Sequence, residues 1–380
     1  MKKMLILGGS HRDIPLIETA KKMGMWVATM GDRPYYLGHR YADHAIYENF
    51  NDLARVKEII KELRIDHVVP GSGEESYMRW VELSHQKAID ANCDELAVAR
   101  IVHDKWKFKE LCHSIGVSVP NGRIVNKSID KINLDFPLIL KPRTLSGGRG
   151  VQIVEDLDEY RRFMNQVNDE NSYLAEEIVE GLLCAYSVVL KNQKVIYGFF
   201  GRDESYLNPF LVTTAYPFKT SEKVLMQLKE EVETIAGELS LVDGMFHLQV
   251  ILDDEKAYII DVTRRIPGDL YPWLMECCDG VEYTEEVIKA YIGWRIDEDR
   301  LKEQEKKFCV RHVVMPPKSG IYEGIQIDRK IVNQVLTRMD IFREGEKIEN
   351  YKRTQLSIFI VRIDERQIEK VPEALKALVV

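Results

Sequence analysis

The sequence predicts a mixed fold, α/β at its N-terminal end and α+β over the remainder, divided among several domains. Its 380 residues exceed what one hydrophobic core usually organises. Strands and helices alternate over roughly the first hundred residues, which indicates an open parallel sheet. From about Asp104 the alternation gives way to strand pairs with short connections, which favour antiparallel pairing.

The N-terminal segment has a β-α-β-α pattern. MLILGG is a predicted strand, Ile14 to Met23 an amphipathic helix and WVATMG a second strand. Leu53 to Leu63 predicts another helix, and IDHVVPGSGEE a strand followed by a loop. Parallel sheets of this kind bind ligands at the carboxyl ends of their strands. We expect this domain to span residues 1–100.

The middle of the chain predicts a lid. A helix from Lys105 to Ile115 leads into PLILKPRTLSGGRGVQIV, which has the pattern of strand, glycine-rich loop and strand. So short a connection suits a hairpin better than a βαβ crossover. The predicted domain covers residues 101–300, with the lid at about 117–180.

Later segments predict more antiparallel structure. A long helix lies around Glu222 to Leu239, and the apolar runs GMFHLQVIL and KAYIIDV are joined by the polar turn at residues 253–255. The tail from about Lys307 mixes short strands with prolines and is expected to end on a helix. We assign it to a small C-terminal subdomain, residues 301–380.

Composition excludes several classes of partner. The net charge is -8, so no global basic field attracts nucleic acid. No apolar stretch approaches the ~20 residues needed to span a bilayer, and we expect no membrane partner. The six cysteines fit no CxxC pattern and no secretion signal precedes them. Free thiols and a cytoplasmic location are therefore expected.

The first chemical motif is the lysine and glycine-rich loop that follow the strand at 137–140. Lys141 emerges at the end of that strand, where its ammonium group can meet a phosphate. In the loop that follows, glycine lets backbone N–H groups approach phosphate oxygens closely. A glycine cluster alone would favour a surface hairpin, but the lysine beside it favours a phosphate flap; its residues are Ser146, Gly147, Gly148 and Gly150.

Two further motifs follow. An extended segment with Glu176, Glu177 and Val179 offers main-chain donors and acceptors suited to an adenine edge, although alone it would be an acidic edge strand. On two paired strands, Gln249, Asp261 and Thr263 are expected on one face, since strand side chains repeat with period two. One carboxylate and two neutral oxygens can complete an Mg²⁺ shell that phosphates and water otherwise fill. Alone, this third motif fits an ordinary sheet surface equally well.

These three motifs, in this order and spacing, resemble the ATP-grasp superfamily. The N-terminal unit resembles the domain that precedes the ATP-grasp fold in biotin carboxylase and carbamoyl-phosphate synthetase, and the tail resembles the small subdomain of amino-acid ligases. The resemblance implies an ATP-grasp fold and ATP and Mg²⁺ (or Mn²⁺) as cofactors. It implies phosphate contacts from Lys105 and Lys141, with Arg265 at the acyl phosphate or carboxylate.

The sequence departs from the superfamily at the implied metal ligands. The usual residues are Glu, Glu and Asn, where this chain has Gln249, Asp261 and Thr263. The loop Gly8-Gly9-Ser10 also resembles part of a dinucleotide fingerprint, but Asp13 stands where the third glycine belongs. In the resembled architecture that loop faces the acceptor substrate, which makes His11, Arg12 and Glu74 substrate-contact candidates.

The leading functional hypothesis is an ATP-dependent carboxylate-amine ligase that works through an acyl phosphate, with catalytic Lys141 and Arg265. Its partners would be a small-molecule carboxylate, an amine and a second copy of the chain in a homodimer. Three alternatives stay open. They are a bicarbonate-activating carboxylase, a non-catalytic nucleotide-binding subunit, and an NAD-dependent dehydrogenase suggested only by the first strand, loop and helix.

Overall fold

The fold was analysed in a computed structural model, which describes residues 1–125, 133–145, 147–167, 173–304 and 306–380. The N-terminal region is a four-stranded parallel sheet in the order β3-β2-β1-β4. Its elements are β1 (Lys3–Leu7), α1 (Ile14–Lys22), β2 (Trp26–Met30), β3 (His44–Ile46), α2 (Leu53–Leu63), β4 (His67–Pro70), α3 (Glu74–His85), α4 (Leu96–His103) and α5 (Lys105–Ser114). The predicted open parallel sheet is confirmed.

The lid is a separate antiparallel sheet with one covering helix. Its strands run in the order β5-β8-β6-β7, and the glycine-rich loop joins β6 to β7. The elements are β5 (Gly122–Val125), β6 (Leu138–Pro142), β7 (Gln152–Val154), α6 (Leu157–Gln166) and β8 (Tyr173–Glu177). Tyr160 and Met164 of α6 are buried against the apolar side chains of this sheet, which gives the lid its own small core.

The largest sheet has eight strands in the order β13-β12-β9-β10-β11-β14-β18-β16. Its elements, with the intervening helices, are β9 (Leu182–Lys191), β10 (Lys194–Glu204), β11 (Thr214–Pro217), α7 (Glu222–Glu238), β12 (Gly244–Leu252), β13 (Ala257–Thr263), α8 (Tyr271–Asp279), α9 (Tyr283–Tyr291), β14 (Cys309–Val314), β16 (Val335–Asp340) and β18 (Ser357–Arg362). Antiparallel pairing of β11 with β14 carries this sheet across residue 300 without a break.

A small third sheet closes the chain. Its order is β17-β15-β19, formed by β15 (Gly320–Ile327), β17 (Lys347–Ile348) and β19 (Leu375–Val379). The prediction that the chain ends on a helix is wrong. The helix α10 (Lys370–Ala374) is only five residues long, and β19 follows it. Leu375, Ala377 and Val379 alternate with polar or exposed residues there, a strand period rather than a helical one. Over the described part of the chain, no helix combines the length and apolar character needed to cross a membrane.

Candidate active site

The lid and the helix α5 meet at a buried carboxylate. Glu176 on β8 lies 2.5 Å from the Nζ of Lys141 and 2.7 Å from the Nζ of Lys109, and only 2% of it is exposed. Burial alone would raise the pKa of Glu176, but the two lysine charges outweigh it and lower this pKa. Burial lowers the pKa of Lys109, despite the neighbouring carboxylate. One anion is thus shared by two cations.

Helix α5 brings a third lysine into the cleft. Its N-cap Asp104 accepts hydrogen bonds from the N–H groups of Trp106 and Lys107, so the helix starts at Lys105. Lys105 Nζ lies 2.8 Å from Asp261 Oδ1. Burial alone would lower the pKa of Lys105, but the ion pair with Asp261 raises it. Sequence reasoning missed Lys109, although its i+4 spacing from Lys105 places both on one helix face.

The candidate metal ligands lie on the paired strands β12 and β13. Gln249 stands opposite Asp261, and His247 opposite Thr263. The Thr263 hydroxyl accepts a hydrogen bond of 3.2 Å from the backbone N–H of Arg265. In the described residues no group of three His, Cys, Asp or Glu side chains could hold a metal ion. Asp261 and Gln249 supply hard oxygen donors that fit Mg²⁺ only if phosphates or water complete its shell.

Arg265 connects this face to the N-terminal domain. Its Nε lies 2.9 Å from Oε1 of Glu74, and the other carboxylate oxygen of Glu74 lies 3.6 Å from Nδ1 of His103. Glu74 begins α3, just beyond the carboxyl end of β4. Burial raises the pKa of Glu74, but the Arg265 charge and His103 outweigh it and lower this pKa to about 2. Glu74 therefore stays ionised beside Arg265.

His11 and Arg12 lie elsewhere, around a carboxylate that sequence reasoning missed. Asp269 Oδ1 is 3.2 Å from His11 Nε2 and 3.0 Å from Arg12 Nε, while its Oδ2 accepts a hydrogen bond from Gln355 at 3.1 Å. Burial would raise the pKa of Asp269, but the Arg12 charge and the His11 contact hold it well below its usual range. The structure thus brings His11 and Arg12 together at Asp269 and places the third substrate-contact candidate, Glu74, beside Arg265.

A cavity of about 470 Å³ opens at the end of β8. Glu177 and Val179 line it, opposite Lys256 and Tyr258, and the Glu177 carboxylate accepts a 2.9 Å hydrogen bond from the Asn121 side chain. Glu176 does not line this cavity, since its carboxylate turns toward the lysines. Because side chains alternate along β8, Glu176 points toward the lysines and Glu177 points toward the cavity.

The glycine-rich loop is held in backbone conformations that glycine favours. Gly147, Gly148 and Gly150 all have φ between +64° and +72°. A Cβ on Gly148 would lie 2.3 Å from the Phe210 carbonyl oxygen, and Arg353 donates a 3.2 Å hydrogen bond to the Gly148 carbonyl. The loop thus touches both the large sheet region and the C-terminal region. Ser146 lies outside the described residues.

The N-terminal glycine loop is closed by an internal carboxylate. Asp13 accepts hydrogen bonds from the N–H groups of Gly9, Ser10 and Ser72 at 2.7–2.9 Å, and it is 3% exposed. A dinucleotide-binding loop would use such N–H groups for pyrophosphate. Because Asp13 occupies them, this geometry argues against the dehydrogenase alternative.

Comparison with known proteins places these residues in a family. Residues 102–269 match the family model described as the ATP-grasp domain. This part of the chain has the ATP-grasp fold. The matched range includes Lys105, Lys109, Lys141, Glu176, Asp261 and Arg265.

Similar proteins carry the same architecture. The D-alanine–D-alanine ligase of Petrotoga mobilis is 24% identical over 47% of this chain, an alignment that spans 62% of that ligase. The crystal structure of an L-amino acid ligase from Bacillus licheniformis superposes with a TM-score of 0.85 at 17% identity, over 100% of this chain and 99% of that one.

A third similar protein is the biotin carboxylase domain dimer of the Hydrogenobacter thermophilus 2-oxoglutarate carboxylase, in complex with MgADP and bicarbonate. It gives a TM-score of 0.78 at 17% identity, over 100% of this chain and 91% of that one. At such identities the likeness to these two structures shows the ATP-grasp fold, which was predicted.

Proposed function

We propose that the protein is an ATP-dependent ligase that phosphorylates a carboxylate and couples the resulting acyl phosphate to an amine, releasing ADP and phosphate. The observation that carries this proposal is the surplus of positive charge in the cleft between the lid and the large sheet. Lys105, Lys109, Lys141 and Arg265 face three carboxylates, those of Glu74, Glu176 and Asp261.

These charges act on one another across the cleft. Burial alone would lower the pKa of Lys105, but the charge of Asp261 raises it. Two further carboxylates add to the rise: Glu74, the partner of Arg265, and Glu176, the partner of the other two lysines. Phosphoryl transfer depends on fixed cations that stabilise charge on the moving phosphoryl group. A cleft with a surplus of buried cations provides such charges without reorganisation.

The individual roles follow from position. Lys141 and Lys105 would bind phosphates, and the segment at Glu177 and Val179 would frame the adenine in the 470 Å³ cavity. Arg265 would hold the carboxylate, and the glycine loop would exclude water from the acyl phosphate. Mg²⁺ would arrive with ATP, since Asp261 is the one acidic side chain among the three ligand candidates, and it would stabilise the β- and γ-phosphates.

Two similar proteins are, by name, ligases of amino acids, and one is a carboxylase domain. The test is ADP release from MgATP in the presence of pooled carboxylates, amines and bicarbonate. A ligase releases ADP only when a carboxylate and an amine are both present. Release with bicarbonate alone would indicate the carboxylase, and no substrate dependence would indicate a nucleotide-binding subunit.

We also propose a homodimer, because one structurally similar protein was crystallised as a domain dimer. Light scattering should then give about twice the chain mass of 44.1 kDa. A mass near that of one chain at micromolar concentration would contradict it.

A further inference from the structure

Arg311 on β14 is a buried guanidinium with almost no partners. Only 2% of the residue is exposed, yet in the described residues it makes one long hydrogen bond, 3.4 Å from Nη1 to the backbone oxygen of Asp269, and no ion pair. Its Nε is buried without any hydrogen-bond partner. A guanidinium carries five N–H donors, and leaving a buried charge unpaired is costly. The buried Arg311 guanidinium is therefore a candidate binding site for an anionic ligand.

Neither neighbouring carboxylate serves as its counter-ion. The side chain of Asp269 is taken by His11, Arg12 and Gln355. Asp203 on β10 leaves its own Oδ1 without a partner, although it is 3% exposed. Among the described residues Asp203 forms no ion pair with Arg311, and its side chain contacts Gln249 instead.

Strand register places this cluster on the catalytic face of the large sheet. Asp203 stands opposite Ala215, which in turn stands opposite Arg311. Gly201, two residues before Asp203, is joined by the same register through Ala185 to Gln249. Because strand side chains alternate, Arg311, Asp203 and Gln249 share one face. The residues between them are alanine or glycine, so no bulky side chain of the sheet separates them.

A hydroxyl completes the cluster. Tyr271, at the start of α8, has a buried hydroxyl that lacks a hydrogen-bond partner. Burial raises the pKa of this hydroxyl; the charge of Asp203 adds to the rise and that of Arg311 opposes it. A Cβ on Gly201 would lie 2.7 Å from this hydroxyl oxygen, so glycine allows the tyrosine to reach the sheet. Unpartnered polar atoms from β10, β14 and α8 therefore meet at one place, which native proteins rarely tolerate without a role.

We propose that Arg311, with the Tyr271 hydroxyl, is an anion subsite that binds a second, non-reacting acidic group of the amine substrate, a carboxylate or a phosphate. This inference rests on the proposed ligase function and names the class of its acceptor: an amine that carries an anionic tail. The reacting amine would lie toward Arg265, and the tail would reach across the small residues of the sheet to Arg311.

The test compares Arg311→Met with wild type on three kinds of acceptor. These are pooled amino acids, the matching amino-acid amides, and phosphoethanolamine, each with MgATP and pooled carboxylates. Wild type should use either the amino acids or phosphoethanolamine better than the amides. A preference for amino acids identifies the anionic tail as a carboxylate, and a preference for phosphoethanolamine identifies it as a phosphate. Arg311→Met should raise the KM for that acceptor by about 100-fold and leave the KM for ATP unchanged. Arg311→Lys should recover part of the loss.

A second measurement needs no turnover. With saturating MgADP, the preferred anionic acceptor should raise the Tm of wild type and not that of Arg311→Met. Without the acceptor, Arg311→Met should be as stable as wild type or more so, because it removes a buried unpaired charge. Loss of stability would show a structural role and overturn the proposal, as would a KM within threefold of wild type or equal use of the amides. Absence of nucleotide binding in wild type would instead count against the ligase function, while the Tm comparison would still judge the subsite.

Discussion

The junction around Asp94 and the cleft around Glu176 both bury charges, but they balance them differently. At the junction one arginine meets one aspartate: Arg264 Nε lies 2.8 Å from Asp94, its remaining donors reach the backbone oxygens of Met245 and Val242, and Tyr77 donates to Asp94. In the cleft, Glu176 serves two lysines. Saturated charges hold domains together, whereas surplus cations are available to an anionic ligand.

Asp261→Asn should give the largest effect on the cleft. It removes the partner of Lys105 and the only carboxylate among the metal-ligand candidates. Phosphoryl transfer should be abolished, while nucleotide binding persists or tightens because the cleft becomes more cationic. Substrate-dependent ADP release and nucleotide titration measure the two outcomes. Asp254→Asn in the exposed turn is the control, and near-normal turnover of Asp261→Asn would show that this face is structural.

Arg264→Met should have the largest effect on the junction. It leaves Asp94 buried without its charge partner, which costs about 3–5 kcal/mol in the free energy of unfolding. Urea denaturation measures this cost. Lys223→Ala, which breaks an exposed pair with Glu255, should cost less than about 1 kcal/mol. If Arg264→Met cost no more than that control, the contrast between the two regions would fail.

Lys141→Met tests the surplus of positive charge in the cleft. The variant keeps Lys109 as a partner for Glu176, so we expect it to fold. It should lose ~3 kcal/mol or more of transition-state stabilisation, a fall in kcat of at least about 100-fold. Steady-state kinetics at saturating ATP measure the fall, with the exposed Lys107→Met as the matched control. A kcat within threefold of wild type would mean that Lys141 does not contact the transferred group.

Glu74 predicts a smaller, pH-dependent effect. Its pKa is about 2 in the folded protein and 4.5 ordinarily. A carboxyl whose folded pKa is depressed stabilises the protein fully above its unfolded pKa, so this contribution is lost as the pH falls from 4.5 to 2. The loss is about 3 kcal/mol. Unfolding free energies of wild type and Glu74→Gln should therefore converge over that pH range, and parallel curves would contradict the assignment.

Local patterns predicted most of the scaffold. The helix over 53–63 and the paired strands around 244–263 have the strong periodicity and polar turn that make such predictions reliable. The prediction of a C-terminal helix was wrong because residues 375–379 form a strand by pairing with β15, a partner about fifty residues away. The local signal at the chain end is an alternation over only five residues, which is too short to distinguish a strand from a helix without that long-range partner.

The site was predictable where chemistry follows a local motif. Lys141, Asp261 and Arg265 could be named from local motifs, and Lys105 from the family resemblance, although their roles remain proposals. Lys109, Asp269 and Arg311 were missed because their meaning comes from partners 67, 258 and 42 positions away, such as Glu176 for Lys109. The sequence alone does not show whether a buried charge is paired. Arg264 is paired with Asp94, whereas the Nε of Arg311 has no partner in the described residues.

The unbroken pairing of β11 with β14 has a consequence for cutting the chain. A fragment that stopped at residue 300 would keep every candidate ATP-contacting residue but would leave β11 with an exposed edge of unpaired backbone groups. Such edges recruit other chains and aggregate. Residues 301–380 therefore cover one edge of the large sheet, and we expect a chain shortened at residue 300 to aggregate more readily than the full 380 residues.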